Sequence, residues 1–342
     1  MNTRQTRFVM VAFALAVATL AEAQDFSKAG TSAAQFLKIP VGARAASMAG
    51  TFSSVADDIS TLYWNPAGAA SLRRFEMGVS HSRWIADIDH DFLGVSLPVG
   101  EHAAVGVSVV QLSSGDIEMT TIDQPKGTGT FYSARDLSFA VTYSQYLIEQ
   151  VSVGVSAKYV SQRLANSSAQ TVAFDFGVLL HTGLYGMKVG LSFQHFGPGL
   201  TLSGSDLIKP VDMDPASTID PPAEASLTTQ PFGLPTSYRA SLAMPLIGVD
   251  APVELESWSV LLAVDAVHLN DNREHYSLGG ECGFAQTLFL RGGYTFNTDE
   301  EGLGLGAGVK VDLGSATAYV DYAYMAFGVF DAVHMFSLGL RL

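Results

Sequence analysis

Strict alternation of apolar and polar residues is the feature that most limits what this chain can fold into. In the run from Gly302 to Asp312, leucine, alanine and valine alternate with glycine and lysine, and residues 151–159 and 336–342 repeat the pattern. Successive side chains of a strand point to opposite faces. Each run therefore predicts a strand with one face in an apolar medium and the other in a polar one.

About fourteen such runs follow one another between residue 74 and the C-terminus. The predicted strands are 74–83, 88–99, 102–113, 135–147, 150–163, 170–182, 185–196, 236–246, 256–268, 274–284, 286–297, 302–312, 316–326 and 332–342. Strands of soluble domains average about 5–6 residues, whereas a strand tilted by about 45° needs roughly 9–11 to cross a bilayer. Because lipid cannot satisfy an open sheet edge, the sequence predicts a closed, fourteen-stranded antiparallel transmembrane barrel over residues 73–342.

The predicted connections differ in length between the two ends of this barrel. The two longest, 114–134 and 197–235, fall on the same side, and most connections on the other side are short. Outer-membrane barrels have short periplasmic turns and long outer loops, so this asymmetry supports the count of fourteen strands. The alternative is a soluble all-β protein with one face on a core and one in water, which the strand lengths disfavour.

The first 23 residues have the pattern of a secretory signal peptide. Arg4 and Arg7 precede an apolar run from Phe8 to Leu20, and small residues occupy the cleavage positions of Ala21–Ala23. The apolar run is too short to span a membrane. We therefore expect residues 1–23 to be removed and the protein to leave the cytoplasm.

Charge and motif content exclude several classes of function. The net charge is −14, which argues against nucleic acid, because its affinity for proteins rests on phosphate neutralisation by lysine and arginine. Cys282 is the one cysteine of the sequence, so neither a disulfide framework nor a cysteine metal site is expected. The eight histidines lack helical metal spacing, and no nucleophile, phosphate-loop or dinucleotide motif is present. We expect no enzyme activity, no cofactor and no metal.

Three aspartates at alternate positions form a candidate functional cluster. They are Asp87, Asp89 and Asp91. An extended chain places all three on one face, and we interpret them as luminal or rim carboxylates. Pairing of this ladder with Arg44 is a hypothesis.

Residues 24–72 lack alternation and are rich in alanine and serine. Nearly fifty residues that precede a closed barrel either hang in the periplasm or fold into the lumen. Their moderate apolar content favours the lumen, so we predict an N-terminal hatch or plug over residues 24–72.

Four stretches of this segment resemble the PorV/PorQ family, which belongs to the FadL superfamily of fourteen-stranded outer-membrane barrels. They are Ala29–Leu37, Gly42–Gly50, Ala56–Asp58 and Trp64–Gly68. The resemblance implies a location in the outer membrane of a Gram-negative-type bacterium. It also indicates a structural hatch motif without assigning its members a chemical role. That motif comprises Arg44, Asp57, Asp58, Trp64, Asn65, Pro66, Ala67 and Gly68.

The resemblance implies two alternative functions. The leading one is a PorV/PorQ-like component of type IX protein secretion, which binds or shuttles exported cargo proteins or anchors the attachment complex. The alternative is a FadL-like transporter that passes hydrophobic small molecules around its hatch. A third class is a structural barrel without transport. The expected partners are outer-membrane lipid, secreted cargo or secretion subunits, and hydrophobic small molecules.

One structural feature distinguishes the alternatives. An importer should have an apolar pocket between hatch and wall, whereas a cargo shuttle should have a wide mouth and large loop surfaces. The glycine, serine and threonine of the inward faces describe a polar lumen, which mildly favours the shuttle over a fatty-acid channel.

Overall fold

The computed structural model describes residues 28–211, 223–249 and 251–342. Within these ranges, fourteen antiparallel strands follow one another around a barrel. Their bounds are β1 Glu76–Arg83, β2 Asp89–Val99, β3 Ala103–Ser113, β4 Ala134–Ile148, β5 Val151–Leu164, β6 Ser167–His181, β7 Lys188–Phe196, β8 Ser237–Ile247, β9 Trp258–Leu269, β10 His275–Phe284, β11 Leu288–Phe296, β12 Leu303–Asp312, β13 Thr317–Ala326 and β14 Ala332–Arg341. Each strand pairs with its sequence neighbours, and β14 pairs with β1, which closes the sheet. The predicted fold class is confirmed, and every predicted strand boundary lies within three residues of the observed one.

The two faces of the barrel have opposite chemistry. On β2, Leu93 and Leu97 point outward and are exposed, whereas Ser96 points inward and is buried. The same division holds on β5, where Val155 is outward and Ser156 is inward. A ring of exposed apolar side chains around a polar lumen is the arrangement of a barrel surrounded by lipid.

The long connections lie at one end of the barrel, which we call the loop end; the opposite end is the turn end. Residues 114–133 join β3 to β4, and residues 197–236 join β7 to β8. The first connection contains a small hairpin in which Ile117–Glu118 pairs with Phe131–Tyr132. The predicted asymmetry of the connections is therefore present.

Residues 28–72 precede β1 and lie inside the barrel; we call them the luminal segment. Its helices are the 3₁₀-helix Gln35–Lys38, α1 Ala43–Ser47, α2 Thr61–Trp64 and the 3₁₀-helix Pro66–Ser71. From residue 41 onward almost every position of the segment is buried. No helix in the described part of the chain is long and apolar enough to cross a membrane. The predicted signal peptide, residues 1–23, lies outside the described residues.

Hydroxyl groups of the wall satisfy part of the irregular backbone of the luminal segment. Ala43 N donates a hydrogen bond to Ser337 Oγ at 2.7 Å, and Ala70 N donates to Ser144 Oγ at 3.1 Å. Buried N–H groups outside regular secondary structure need such partners. This requirement explains the serine and threonine content of the inward face.

Inward glycines let the luminal segment touch the sheet. A Cβ atom at Gly293 of β11 would lie 2.4 Å from Met48 C, and one at Gly154 of β5 would lie 2.3 Å from Pro66 C. Real Cβ atoms do not approach backbone atoms this closely. Any larger residue would therefore push the segment away from the wall.

Candidate functional site

The Asn-Pro-Ala-Gly element forms a hydrogen-bonded turn against the barrel wall. Asn65 Oδ1 accepts a hydrogen bond from Ala67 N at 3.1 Å, and Pro66 occupies the first position of the 3₁₀-helix that follows. Asn65 Nδ2 donates to Ser53 O at 2.7 Å and to Val178 O at 3.2 Å. An amide supplies an acceptor and two donors on one short side chain, and all three are used here.

Close packing limits which residue types can occupy the neighbouring motif positions. A Cβ atom at Gly68 would lie 2.4 Å from Ala56 O, so no larger residue fits there. Trp64 is buried, and its Nε1 donates to Val41 O at 2.9 Å. These residues join distant parts of the luminal segment, which agrees with a structural role.

Arg44 is the centre of a charge cluster that links the luminal segment to the wall. Its guanidinium makes two bonds to Glu281 of β10, from Nε to Oε2 at 2.7 Å and from Nη2 to Oε1 at 2.9 Å. Its Nη1 contacts Asp57 Oδ1 at 2.6 Å and Asp58 Oδ2 at 3.2 Å. One arginine thus binds carboxylates from both sides of the interface, which its planar fork of donors permits.

The cluster continues into the wall through a second arginine. Arg291 of β11 contacts Glu281 Oε2 through Nε at 2.6 Å and Asp321 Oδ1 through Nη1 at 2.5 Å. Glu281, Arg291 and Asp321 were not among the residues expected from the sequence. The available signal was a charged residue at the inward position of an alternating strand.

These contacts set the ionisation of Arg44 and Asp57, which belong to the luminal segment and not to the spanning strands. Burial lowers the pKa of Arg44, but Asp57 and Glu281 outweigh it, and the pKa stands well above its ordinary value. Burial raises the pKa of Asp57, but Arg44 and Lys188 outweigh it, and the pKa falls below its ordinary value. The stabilisation from Asp57 is therefore complete above the ordinary carboxyl pKa and is lost as pH falls through the lowered one.

The aspartate ladder does not reach the lumen. Asp91 lies on the outward face of β2 near the loop end, and its Oδ1 is 2.7 Å from His81 Nδ1. His90 and Phe92 take the inward positions instead. The rim interpretation agrees with this placement. The luminal one, with its hypothetical pairing to Arg44, is wrong, because the pleat turns this register outward.

A β-bulge turns two consecutive side chains of β7 inward. Gln194 and His195 together oppose Asp175 of β6, and His195 has a left-handed φ of 62°. Gln194 Nε2 donates to Tyr63 O at 2.5 Å, and His195 N donates to Asp175 Oδ1 at 2.9 Å. Lys158 Nζ neutralises Asp175 across 2.5 Å. The bulge attaches α2 to the wall and forms one side of the cavity described next.

A cavity of about 360 Å³ lies between the luminal segment and the wall at the loop end. The connections β1–β2, β11–β12 and β13–β14 contribute to its lining. Trp64, Trp84, Met325 and Phe327 supply an apolar part of the lining. A pocket between hatch and wall is the feature expected of an importer, but the residues that form it were not predicted from the sequence.

Charged side chains also line the cavity. Lys38, Arg239, Glu300 and Glu301 are among them. Lys38 Nζ is already paired with Asp271 at 3.1 Å. In the described ranges, no group of three or more His, Cys, Asp or Glu side chains is arranged to hold a metal ion. The cavity is therefore an amphipathic compartment, suited to binding a small molecule with polar and apolar parts.

The closed barrel with an internal N-terminal segment has the fold of the FadL-type outer-membrane barrels. The CymD monoaromatic hydrocarbon channel matches with a TM-score of 0.56 at 13% identity, over 89% of this chain and 97% of that one. The Pseudomonas putida toluene transporter TodX matches with 0.54 at 14% identity, over 88% and 96%. A Pseudomonas aeruginosa FadL homologue matches with 0.52 at 13% identity, over 89% and 98%. At these identities the likeness establishes the fold.

Residues 9–180 match the profile of the family described as "Uncharacterised protein family (UPF0164)". The match spans just over half of the sequence, and the chain belongs to this family. No curated protein sequence matches. The closed barrel with its outward apolar ring is an outer-membrane protein of a Gram-negative-type bacterium, as predicted.

Proposed function

We propose that this protein is an outer-membrane channel that admits small molecules with apolar parts from the loop end. The cavity between the luminal segment and the wall carries the proposal, because its aromatic lining offers a binding place within the barrel. Two of the structural neighbours are described as a hydrocarbon channel and a toluene transporter, which supports the same class of activity.

In this proposal residues 24–72 form the hatch of a barrel that comprises residues 73–342. The hatch fills the lumen, so passage requires it to shift. Part of its contact with the wall consists of hydrogen bonds to hydroxyls such as Ser144 and Ser337. Water can replace such bonds at a small net cost, which suits a segment that must move.

Filling the cavity tests the proposal. Ser277→Phe on the inward face of β10 adds a ring to the cavity lining, and we expect binding of propylbenzene to weaken about tenfold. The matched control is Leu278→Phe, since Leu278 is the next residue and faces outward. Binding is measured by equilibrium dialysis of the labelled probe against the full chain in lipid nanodiscs.

Equal binding by Ser277→Phe and the wild type would contradict the cavity as the binding place. Absence of propylbenzene binding by the wild type would contradict the cavity as a site for hydrocarbons. Weaker binding by Leu278→Phe as well would show that an added ring on β10 disturbs the barrel in general and does not act by filling the cavity.

A second candidate is a PorV/PorQ-like role in type IX secretion, with cargo proteins or secretion subunits as partners. The connection from β3 to β4 supports it, because Ile122 is fully exposed and Phe131 is 59% exposed at the loop end. Exposed apolar side chains beyond the strands are typical of protein contacts. The resemblance of the N-terminal segment to that family is the other support.

Affinity purification from detergent-solubilised outer membranes tests this role. Secreted proteins that share a C-terminal domain, or other secretion components, should co-purify and be identified by mass spectrometry. Ile122→Asp should reduce their yield severalfold, while Val329→Asp, on the β13–β14 connection, should not. A barrel that purifies with hydrophobic molecules but without such proteins would contradict the secretion role.

A further inference from the structure

Arg239 projects from β8 into the cavity without an acidic partner. Its guanidinium lies over the Trp64 ring, 5.0 Å from the ring centroid. Its Nε is buried and has no hydrogen-bond partner, and no carboxylate of the described residues lies within ion-pairing distance. Arg239 is half-buried, and its buried Nε donor is costly to leave without an acceptor. The geometry therefore calls for an anionic group at this point of the cavity.

Glu301 lines the same cavity from the β11–β12 connection. Within the described part of the chain, its carboxylate accepts no hydrogen bond and has no cation within ion-pairing distance. The Glu301 side chain is exposed at the mouth of the cavity, and the more distant Arg239 and Lys38 act on it electrostatically without pairing with it. The cavity thus holds a positive and a negative group that act on each other but do not pair.

An apolar surface completes the compartment. Trp84 packs edge-on against Phe327 with ring centroids 4.8 Å apart, and both line the cavity together with Met325. The cavity volume of about 360 Å³ equals about twelve water volumes of roughly 30 Å³ each. A ligand of about a dozen non-hydrogen atoms therefore fits.

We propose that the cavity selects small zwitterions with an apolar side group, and that it binds the carboxylate at Arg239 and the ammonium at Glu301. The apolar group lies against Trp84 and Phe327. A simple anion leaves Glu301 unpaired next to a second negative charge, and a hydrocarbon leaves both protein charges unpaired. The inference rests on the proposed function, because it requires that small molecules enter this cavity.

Four probes with the same phenyl ring separate the possibilities. They are phenylalanine, 3-phenylpropanoate, phenethylamine and propylbenzene. Each is titrated by equilibrium dialysis into the full chain in lipid nanodiscs. We expect phenylalanine to bind at least about tenfold more tightly than each of the other three, since a hydrogen-bonded charge contributes about that much.

Two variants assign the charges. Arg239→Gln should weaken phenylalanine and phenylpropanoate about tenfold, whereas Glu301→Gln should weaken phenylalanine but not phenylpropanoate. Arg83→Gln is the control, because Arg83 is 73% exposed at the barrel rim and lies outside the cavity lining. Heat-modifiability on gels verifies that each variant forms a barrel.

Three results would contradict this inference, and each has a different meaning. Phenylpropanoate binding as tightly as phenylalanine would overturn the zwitterion and indicate an anion pocket. Propylbenzene binding most tightly would also overturn it and leave the channel proposal standing. If none of the four probes bound, this inference and the proposed function would both fail.

Discussion

Replacement of Gly293 with alanine is expected to destabilise the docked luminal segment by about 3 kcal/mol, near the upper end for overpacking. The new Cβ would lie 2.4 Å from Met48 C and 2.8 Å from Ala49 N. Both are backbone atoms, so no side-chain rotation relieves the contact. Hydrogen exchange of luminal-segment peptides, followed by mass spectrometry in detergent, should accelerate about 100-fold.

Gly292→Ala is the matched control. Gly292 precedes Gly293 on β11 and faces outward, where a Cβ would lie 3.5 Å from Leu305 Cδ2, an ordinary contact. Both substitutions change the entropy of the unfolded chain equally, so their difference isolates the contact with the segment. Equal exchange rates in the two variants would show that close approach at Gly293 does not hold the segment in place.

Replacement of Arg44 with methionine is expected to accelerate exchange in the same peptides about 30-fold, which corresponds to about 2 kcal/mol. Arg291 still neutralises Glu281, so the carboxylates that lose their ion pair are those of Asp57 and Asp58. A fully buried broken pair costs more, but Asp57 is 41% exposed and water screens part of its charge.

Two further variants show whether the effect comes from the cluster. Arg44→Lys keeps the charge but loses the two-bond contact with Glu281, and it should give an intermediate rate. Arg83→Met breaks an exposed pair with Asp87 at 3.9 Å and should leave the rate unchanged. A wild-type rate in Arg44→Met would mean that the charge cluster does not hold the segment.

The polar contacts of the luminal segment bear on how a channel of this kind opens. The groups of the Arg44 cluster and the wall hydroxyls can exchange their protein partners for water when the segment moves. The inward glycines make no polar contact of this kind and only leave room for the segment's backbone to approach the wall. A segment that leaves the wall must also expose apolar side chains such as Phe52, Leu62 and Trp64, which are buried in a core shared with the wall. The zwitterion and hydrocarbon probes then report what the cavity binds.

The local residue pattern was sufficient to predict the strands. A period of two is written into neighbouring residues, and contact with lipid on one face and a polar lumen on the other enforces it along the whole length of each strand. For this reason the fourteen ranges, the closed sheet and the location of the long connections all follow from residue order. The motif around Asn65 was likewise visible, because its capping contact joins residues two apart.

Contacts across the lumen could not be predicted from the sequence and became visible only in the tertiary structure. Glu281 and Arg44 are 237 positions apart, and only the register of β10 and the path of the segment bring them together. The bulge at Gln194 and His195 breaks the alternation that sequence reasoning assumes. Asp89 and Asp91 were turned outward by a pleat that sequence leaves undetermined, and Asp87 lies in the turn before the strand. The cavity arises from connections far apart in the chain, whose approach is set by barrel closure and by how the luminal segment packs.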